Sequence, residues 1–266
     1  MQIQRSVFRD DHEMFRTTVR RFFERECVPR QAQWNEAGMV DRETWRKAGR
    51  EGLLCITLPE EYGGGGRDYG HSAVMAEEVA RCGLSGVTFN MHSDIIAPYI
   101  ARVGNAAQKD KWLPGACSGE HILGIAMTEP GTGSDLKAVR TTAVRDGDEY
   151  VINGSKTFIS NGIAGDLFVV VCKTDPAAGA KGISLIVVEA NREGFRRGRK
   201  LDKVGLHAQD TAELFFDNVR VPAFNLLGEE GMDSNTSWRN CRRSAFPLRL
   251  PPPHGSKPPC SKRSIT

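Results

Sequence analysis

Two short stretches hold most of the groups in this chain that could do chemistry. The first, residues 125–135, reads I-A-M-T-E-P-G-T-G-S-D. It ends an apolar run in a turn with Pro130, Gly131 and Gly133, flanked by the hydroxyls of Thr128, Thr132 and Ser134. Glycines let the backbone approach a ligand closely, and successive free N–H groups make a concavity that suits an anion. The second, residues 156–162, reads K-T-F-I-S-N-G and offers the aromatic face of Phe158 beside the hydroxyl of Ser160. Together they supply an anion cradle, hydroxyl donors and an aromatic surface. They do not form a dinucleotide fingerprint, because Leu136 stands where the third glycine belongs after Gly131 and Gly133, and the chain has no Walker A sequence. The seven cysteines are scattered without a C-x-x-C, and the six histidines include no H-x-x-x-H pair. They read as reduced thiols and isolated imidazoles, so no metal site and no disulfide frame is expected.

The pairing of T-E-P-G-T-G-S-D (128–135) with N-G-S-K-T-F-I-S-N (153–161) resembles the acyl-CoA dehydrogenase family, in which both motifs recur in this order. The resemblance runs from about residue 6 to residue 232. It is most similar to the long-chain branch, because Phe158 replaces the commoner Trp and G-R-K-L-D-K-V-G-L-H-A-Q-D-T-A-E-L-F-F (198–216) fits that branch. What the resemblance implies is a flavin oxidoreductase of fatty acid β-oxidation. Ile125, Met127, Thr128, Gly133, Ser134, Phe158, Ile159 and Ser160 would face FAD. Thr128 would hydrogen-bond near the reactive ring nitrogen, and Phe158 would pack against the ring edge. Ser134 would also touch the acyl-CoA, with Ala180 and Lys181 at the CoA end. The implied reaction is α,β-dehydrogenation of a fatty acyl-CoA, in which a glutamate removes the α-proton, the β-hydrogen leaves as hydride, and an electron-transferring flavoprotein reoxidises the cofactor. Glu129, inside the flavin loop, is structural in the family rather than the base.

Stepping outward to the elements, the chain begins helical. Phe15, Val19, Phe22 and Phe23 share one face, with Asp10 or Asp11 as the cap and Pro29 as a stop or restart. A helix follows over 41–50. The run L-P-E-E-Y-G-G-G-G-R (58–67) reads as a connection rather than a phosphate loop. Met75, Val79 and Cys82 line the inner face of the next helix, with Glu77 and Glu78 turned away. Further helices are expected over 89–103 and 108–117. By the resemblance the first of these lies under the acyl cavity, where Asn90, Met91, Ile95 and Ile96 are candidates to line it. The pattern then changes to strands: 139–145, an Asp146-Gly147 turn, 150–152, an Asn153-Gly154 turn, and 156–160, with further strands over 167–174, 183–190 and 212–216. No helices intervene and the region is too short for a doubly wound fold, which argues against a Rossmann enzyme.

The fold class expected is therefore α+β and multi-domain: an all-α domain over 1–122, then an all-β, barrel-like domain with orthogonal sheets over 123–230. The net charge of +3 conceals a split, since residues 233–266 hold seven Lys/Arg and one Asp and the remainder is net −3. Residues 231–266 contain six prolines and no apolar period, and are expected to be disordered. They stand where the family has a C-terminal four-helix bundle carrying the base and the tetramer contacts. One inserted base after codon 232 would restore a reading close to G-L-K-Y-L-M-E-E-L-P-Q-E-R-L, with the glutamate of Q-E-R encoded across Arg243 and Ser244. A frameshift is thus the expectation, with no catalytic residue assigned, FAD binding weak or lost, turnover absent and no homotetramer. The alternative is a non-catalytic acyl-CoA-binding or partner module. With no signal core, no long apolar run and no nucleic-acid motif, a cytoplasmic protein without a membrane span or nucleic-acid partner is expected.

Overall fold

The computed structural model describes residues 7–231 apart from Ser85. The expectation of a disordered tail over 232–266 lies outside the described residues. Helix α1 (Asp10–Phe22) runs through a π-turn at Phe23–Cys27 and a short turn at Val28–Arg30 into α2 (Gln31–Ala37), which stops at Gly38 with φ 70°. Its first residue is capped otherwise than expected. Arg9, not Asp10 or Asp11, is the N-cap, and its N–H donates to His12 Nδ1 at 3.1 Å. Helix α3 (Arg42–Arg50) begins at Asp41, whose Oδ1 accepts from Thr44 N at 2.8 Å, the ordinary capping geometry. The glycine-rich connection folds back on the main chain: Gly66 N donates to Leu58 O and Arg67 N to Ile56 O. Helices α4 (Tyr69–Arg81), α5 (Ala97–Val103) and α6 (Ala106–Ser118) complete the helical part, with a π-turn at Met91–Ile96 leading into α5.

One expectation for α4 is overturned. Glu77 and Glu78 are 9% and 1% exposed, because α1 lies across the face they occupy. Arg16 Nη1 reaches Glu77 at 2.8 Å, and Arg20 and Arg81 hold Glu78 at 2.9 and 2.6 Å. Helical periodicity locates a polar face but cannot show that a second helix will cover it with arginines. Both helices bury their other faces in a core of Phe15, Val19, Phe22, Trp45, Val74, Met75 and Phe89.

The second part is one curled sheet. Its strands are β1 (Leu123–Ala126), β2 (Thr142–Asp146), β3 (Glu149–Ser160), β4 (Leu167–Lys173), β5 (Ile183–Glu189), β6 (Phe195–Lys200), β7 (Thr211–Pro222) and β8 (Leu226–Leu227). Their order is β6-β7-β3-β2-β4-β5-β8, with β1 parallel to β4. Strand β4 is apolar almost throughout because both of its faces are buried. Phe168, Val170 and Cys172 point into the curl with Tyr150, Ile152 and Leu214. Leu167, Val169 and Val171 point outward and share a core with Ile96, Tyr99, Trp112 and Leu113 of the helices. Burying each such aliphatic side chain contributes about 1.5–3 kcal/mol, so the seam between helices and sheet is a shared core. Arg42 fastens it further, pairing with Asp166 and donating to Ala164 O at 2.8 Å.

The expected turn at Asn153-Gly154 is also corrected. Strand β3 is continuous through it, and Asn153 stands opposite a bulge in β7, where Asp217 and Asn218 fall between the partners of Ile152 and Gly154. Gly154 has φ 152°, and a Cβ there would lie 2.5 Å from Thr141 Oγ1. Asn153 Oδ1 accepts from Asn218 N at 2.8 Å, so the side chain supports the bulge rather than a reversal.

Candidate functional site

The two chemistry-bearing stretches meet through a buried ion pair that neither shows alone. Lys156, fully buried on β3, donates to Glu129 Oε1 at 2.8 Å, to Met127 O at 3.1 Å and to Val171 O at 2.6 Å. Glu129 also accepts from Arg140 N (2.7 Å), Thr141 N (3.0 Å) and Thr141 Oγ1 (2.6 Å). Burial works to raise this carboxyl, but Lys156, Thr141 and the Arg140 N–H outweigh it and hold it below the usual range. With both oxygens occupied and the pKa lowered, Glu129 cannot serve as a general base, and its part is structural. The pair clamps the end of β1 onto β3, and Thr157 N completes the join by donating to Thr128 O at 2.9 Å.

That clamp displays Phe158. The register of β3 on β7 shifts between Lys156 and Ile159, so Phe158 sits at a bulge with φ 58° and is 67% exposed. A bulky residue in the left-handed region is strained, by about 1–3 kcal/mol, and such strain collects at ligand sites. Ile159 is buried among the sheet interior residues, so it can offer a ligand only its main chain. Ser160 is half-buried, and its hydroxyl accepts from Gln209 Nε2 at 2.7 Å. Asn161, also left-handed at φ 57°, is buried, accepting from Thr88 Oγ1 at 3.1 Å and donating to Leu123 O at 2.9 Å. The sequence reading gave no role to Lys156, Asn161 or Gln209. All three lie inside quoted motifs, Lys156 and Asn161 in 153–161 and Gln209 in 198–216, but their partners are distant in sequence.

The glycine turn stands ready beside Phe158's strand. Glu129 and Thr132 bridge each other through N–H···O bonds of 2.9 and 3.0 Å, and Thr132 Oγ1 donates to Ala138 O at 2.9 Å. Gly131 and Gly133 have ordinary φ values, and a Cβ on either would meet nothing within 4 Å. Their glycine identity therefore answers to no internal contact, which suits a surface where a ligand comes close to the main chain. Ser134 is exposed at the same turn. The Pro176–Gly182 loop, carrying half-buried Ala180 and exposed Lys181, lies against the Leu136–Ala138 turn that follows, so both candidate CoA contacts share one rim.

Ile125 lies on β1 and Met127 just after it. They are half-buried against the seam core, together with Met91 and Ile95 of the π-turn. Ile96, expected to line a cavity, is wholly buried in that core, while Asn90, Met91 and Ile95 keep partial exposure. Beside them burial pushes the Asp94 carboxyl up to about 6, although Ser72 Oγ donates to it at 2.8 Å. The structure thus bonds Thr128 to Thr157, the neighbour of Phe158, and sets the loop that carries Lys181 against the turn that follows Ser134.

Both parts of the chain are similar to domains of known proteins. Residues 9–120 match the acyl-CoA dehydrogenase N-terminal domain and residues 124–219 match the acyl-CoA dehydrogenase middle domain. The chain is 50% identical over 228 residues to the mitochondrial long-chain specific acyl-CoA dehydrogenase of Sus scrofa, covering 85% of this chain and 53% of that protein. An acyl-CoA dehydrogenase structure from Geobacillus kaustophilus superposes with a TM-score of 0.90 at 50% identity, covering 92% of this chain and 65% of that one. A Bacillus anthracis acyl-CoA dehydrogenase complexed with FAD superposes with a TM-score of 0.85 at 32% identity, covering 92% and 42%. The chain spans about half the length of the curated relatives it matches.

Proposed function

Because the chain belongs to the acyl-CoA dehydrogenase family, through that family's N-terminal and middle domains, we propose that it carries the flavin-facing half of a site for α,β-dehydrogenation of fatty acyl-CoA. The observation that carries this reading is the clamp of Lys156 on Glu129, which sets the exposed, strained Phe158 beside Thr128. Such a surface fits FAD: an aromatic face for the ring system, hydroxyls at Thr128 and Ser160, and unobstructed main chain at Gly131 and Gly133. When bound, the cofactor supplies the acceptor for the hydride leaving the β-carbon.

The chain's own residues do the remaining work. Phe158 packs against the ring and keeps water from its edge. Thr128 offers its hydroxyl to the ring, and the Ile125 and Met127 side gives the ring an apolar surface. Ser134, Ala180 and Lys181 receive the CoA end, and half-buried Met91 and Ile95 belong to the wall that takes the acyl chain. Fatty acyl chains of the long-chain class are the proposed substrate, and an electron-transferring flavoprotein is the proposed reoxidant. The α-proton base is not among the residues assigned, since Glu129 is engaged on both oxygens. No helix among the described residues is long and apolar enough to cross a membrane.

A visible absorbance titration of the purified chain with FAD, followed by palmitoyl-CoA, tests the reading. A weak flavin band, appearing only at high FAD and weakened at least tenfold further in apparent affinity by Phe158→Ala, is expected. Free-flavin behaviour of the wild-type chain at all FAD concentrations overturns it. Palmitoyl-CoA binding without any flavin band favours the non-catalytic acyl-CoA-binding module instead.

A further inference from the structure

Far from the flavin-facing edge, at the start of α1 and α4, two histidines distant in sequence meet. His12 and His71 are 1% and 3% exposed, with ring centroids 4.4 Å apart. Asp68 Oδ1, at the N-cap of α4, lies 3.0 Å from His71 Nδ1 and 2.8 Å from His12 Nε2. Since a carboxylate only accepts, both of those nitrogens carry the proton. That leaves His71 Nε2. It is buried, has no hydrogen-bond partner, and faces the Asp11 carboxylate 3.7 Å away. A buried ring nitrogen facing a carboxylate at that distance calls for positive charge between them, from a ring proton or from a metal ion.

We propose that Asp11, His12 and His71 form a site for a divalent transition-metal ion of the zinc class. Their ligand atoms all lie within 4.8 Å of one another. Two ligands each about 2.0–2.2 Å from a tetrahedral ion stand roughly 3.3–3.6 Å apart, so the His71–Asp11 separation needs only slight closing. Asp68 supplies the carboxylate behind a ligating imidazole that fixes its tautomer and orientation. Gly70 leaves the space open, since a Cβ there would come within 2.5 Å of His12 Nε2. Ligation by His12 through Nε2 moves its ring proton to Nδ1 and gives up both the bond to Asp68 Oδ1 and the bond from Arg9 N. The Arg9 guanidinium, which now binds Asp11 and Asp68, is 58% exposed and turns to water when the ion enters. Two nitrogens and one carboxylate oxygen select zinc, nickel or cobalt over magnesium and calcium. The ion would tie α1 to α4 across their buried arginine–glutamate face.

Calorimetric titration of the tag-free chain with zinc chloride, with the visible spectrum of added cobalt as a second readout, tests this. One ion per chain is expected, with no heat from magnesium. Affinity should fall at least tenfold in Asp11→Asn, whose position is half exposed and outside any core, and in His71→Gln. Zinc should raise the thermal midpoint of the wild type and of neither variant. Absence of stoichiometric zinc binding, or equal binding by wild type and Asp11→Asn, overturns the proposal. So does zinc binding that leaves the His71 Nε2 nitrogen resonance unmoved.

Discussion

Replacing Lys156 by methionine probes the clamp that organises the flavin-facing edge. The substitution keeps most of the stem's volume and removes the ammonium. Three bonds vanish, those to Glu129 Oε1, Met127 O and Val171 O. Glu129 stays buried with its charge, but keeps the N–H groups of Arg140 and Thr141 and the Thr141 hydroxyl. Removing one member of a buried pair costs about 3–5 kcal/mol, and these three remaining donors place the loss near the lower end, at about 3 kcal/mol. For a chain of this size that lowers the melting midpoint by roughly 6–12 °C. Urea unfolding followed by tryptophan fluorescence measures it, with an unchanged slope as the sign that only stability moved. The double variant Lys156→Met with Glu129→Gln should be less destabilised than the sum of the single variants by about 1–2 kcal/mol. A Lys156→Met loss below about 1 kcal/mol, or strict additivity in the double variant, would refute the claim that the pair joins the two stretches.

Three further outcomes are expected. Phe158→Gly relieves the φ of 58° and loses little burial, so stability should stay within about 1 kcal/mol of wild type while FAD affinity drops; a large destabilisation would show the ring to be core. Gly154→Ala forces a Cβ against Thr141 and should cost about 1–3 kcal/mol in chemical unfolding, where an unchanged midpoint would disprove the close approach. Burial lowers the fully buried His92 to about 4 from 6.5, with Nδ1 accepting from Leu123 N and Nε2 donating to Ala116 O. Its contribution is therefore complete above pH about 6.5 and lost as pH falls toward 4, amounting to about 3 kcal/mol. Unfolding free energies across that window should show the slope in wild type and a shallower one in His92→Gln.

Local chemistry was open to reading from the chain itself. Asp41 caps α3 as its side chain dictates, the aromatic stripe of α1 lies on the buried face, and the apolar runs of β4 and β5 form a buried antiparallel pair. The order and spacing of T-E-P-G-T-G-S-D and K-T-F-I-S-N pointed to the family whose domains the chain contains. Each of these rests on residues within a few positions of one another, where periodicity, capping and turn preference act. What only the tertiary structure decided depends on partners far away in sequence. Glu78 is buried because α1 brings Arg16 and Arg20 across it. Asn153-Gly154 continues its strand because β7 pairs on both sides of it through a bulge of its own, and Thr141 leaves no room for a Cβ at Gly154. Lys156 is a clamp because β1 and β4 place Glu129, Met127 and Val171 around its ammonium, and His71 faces Asp11 because two helix starts converge. A buried charge or an unpaired nitrogen acquires its meaning from the groups that surround it in space, and one-dimensional spacing does not contain them.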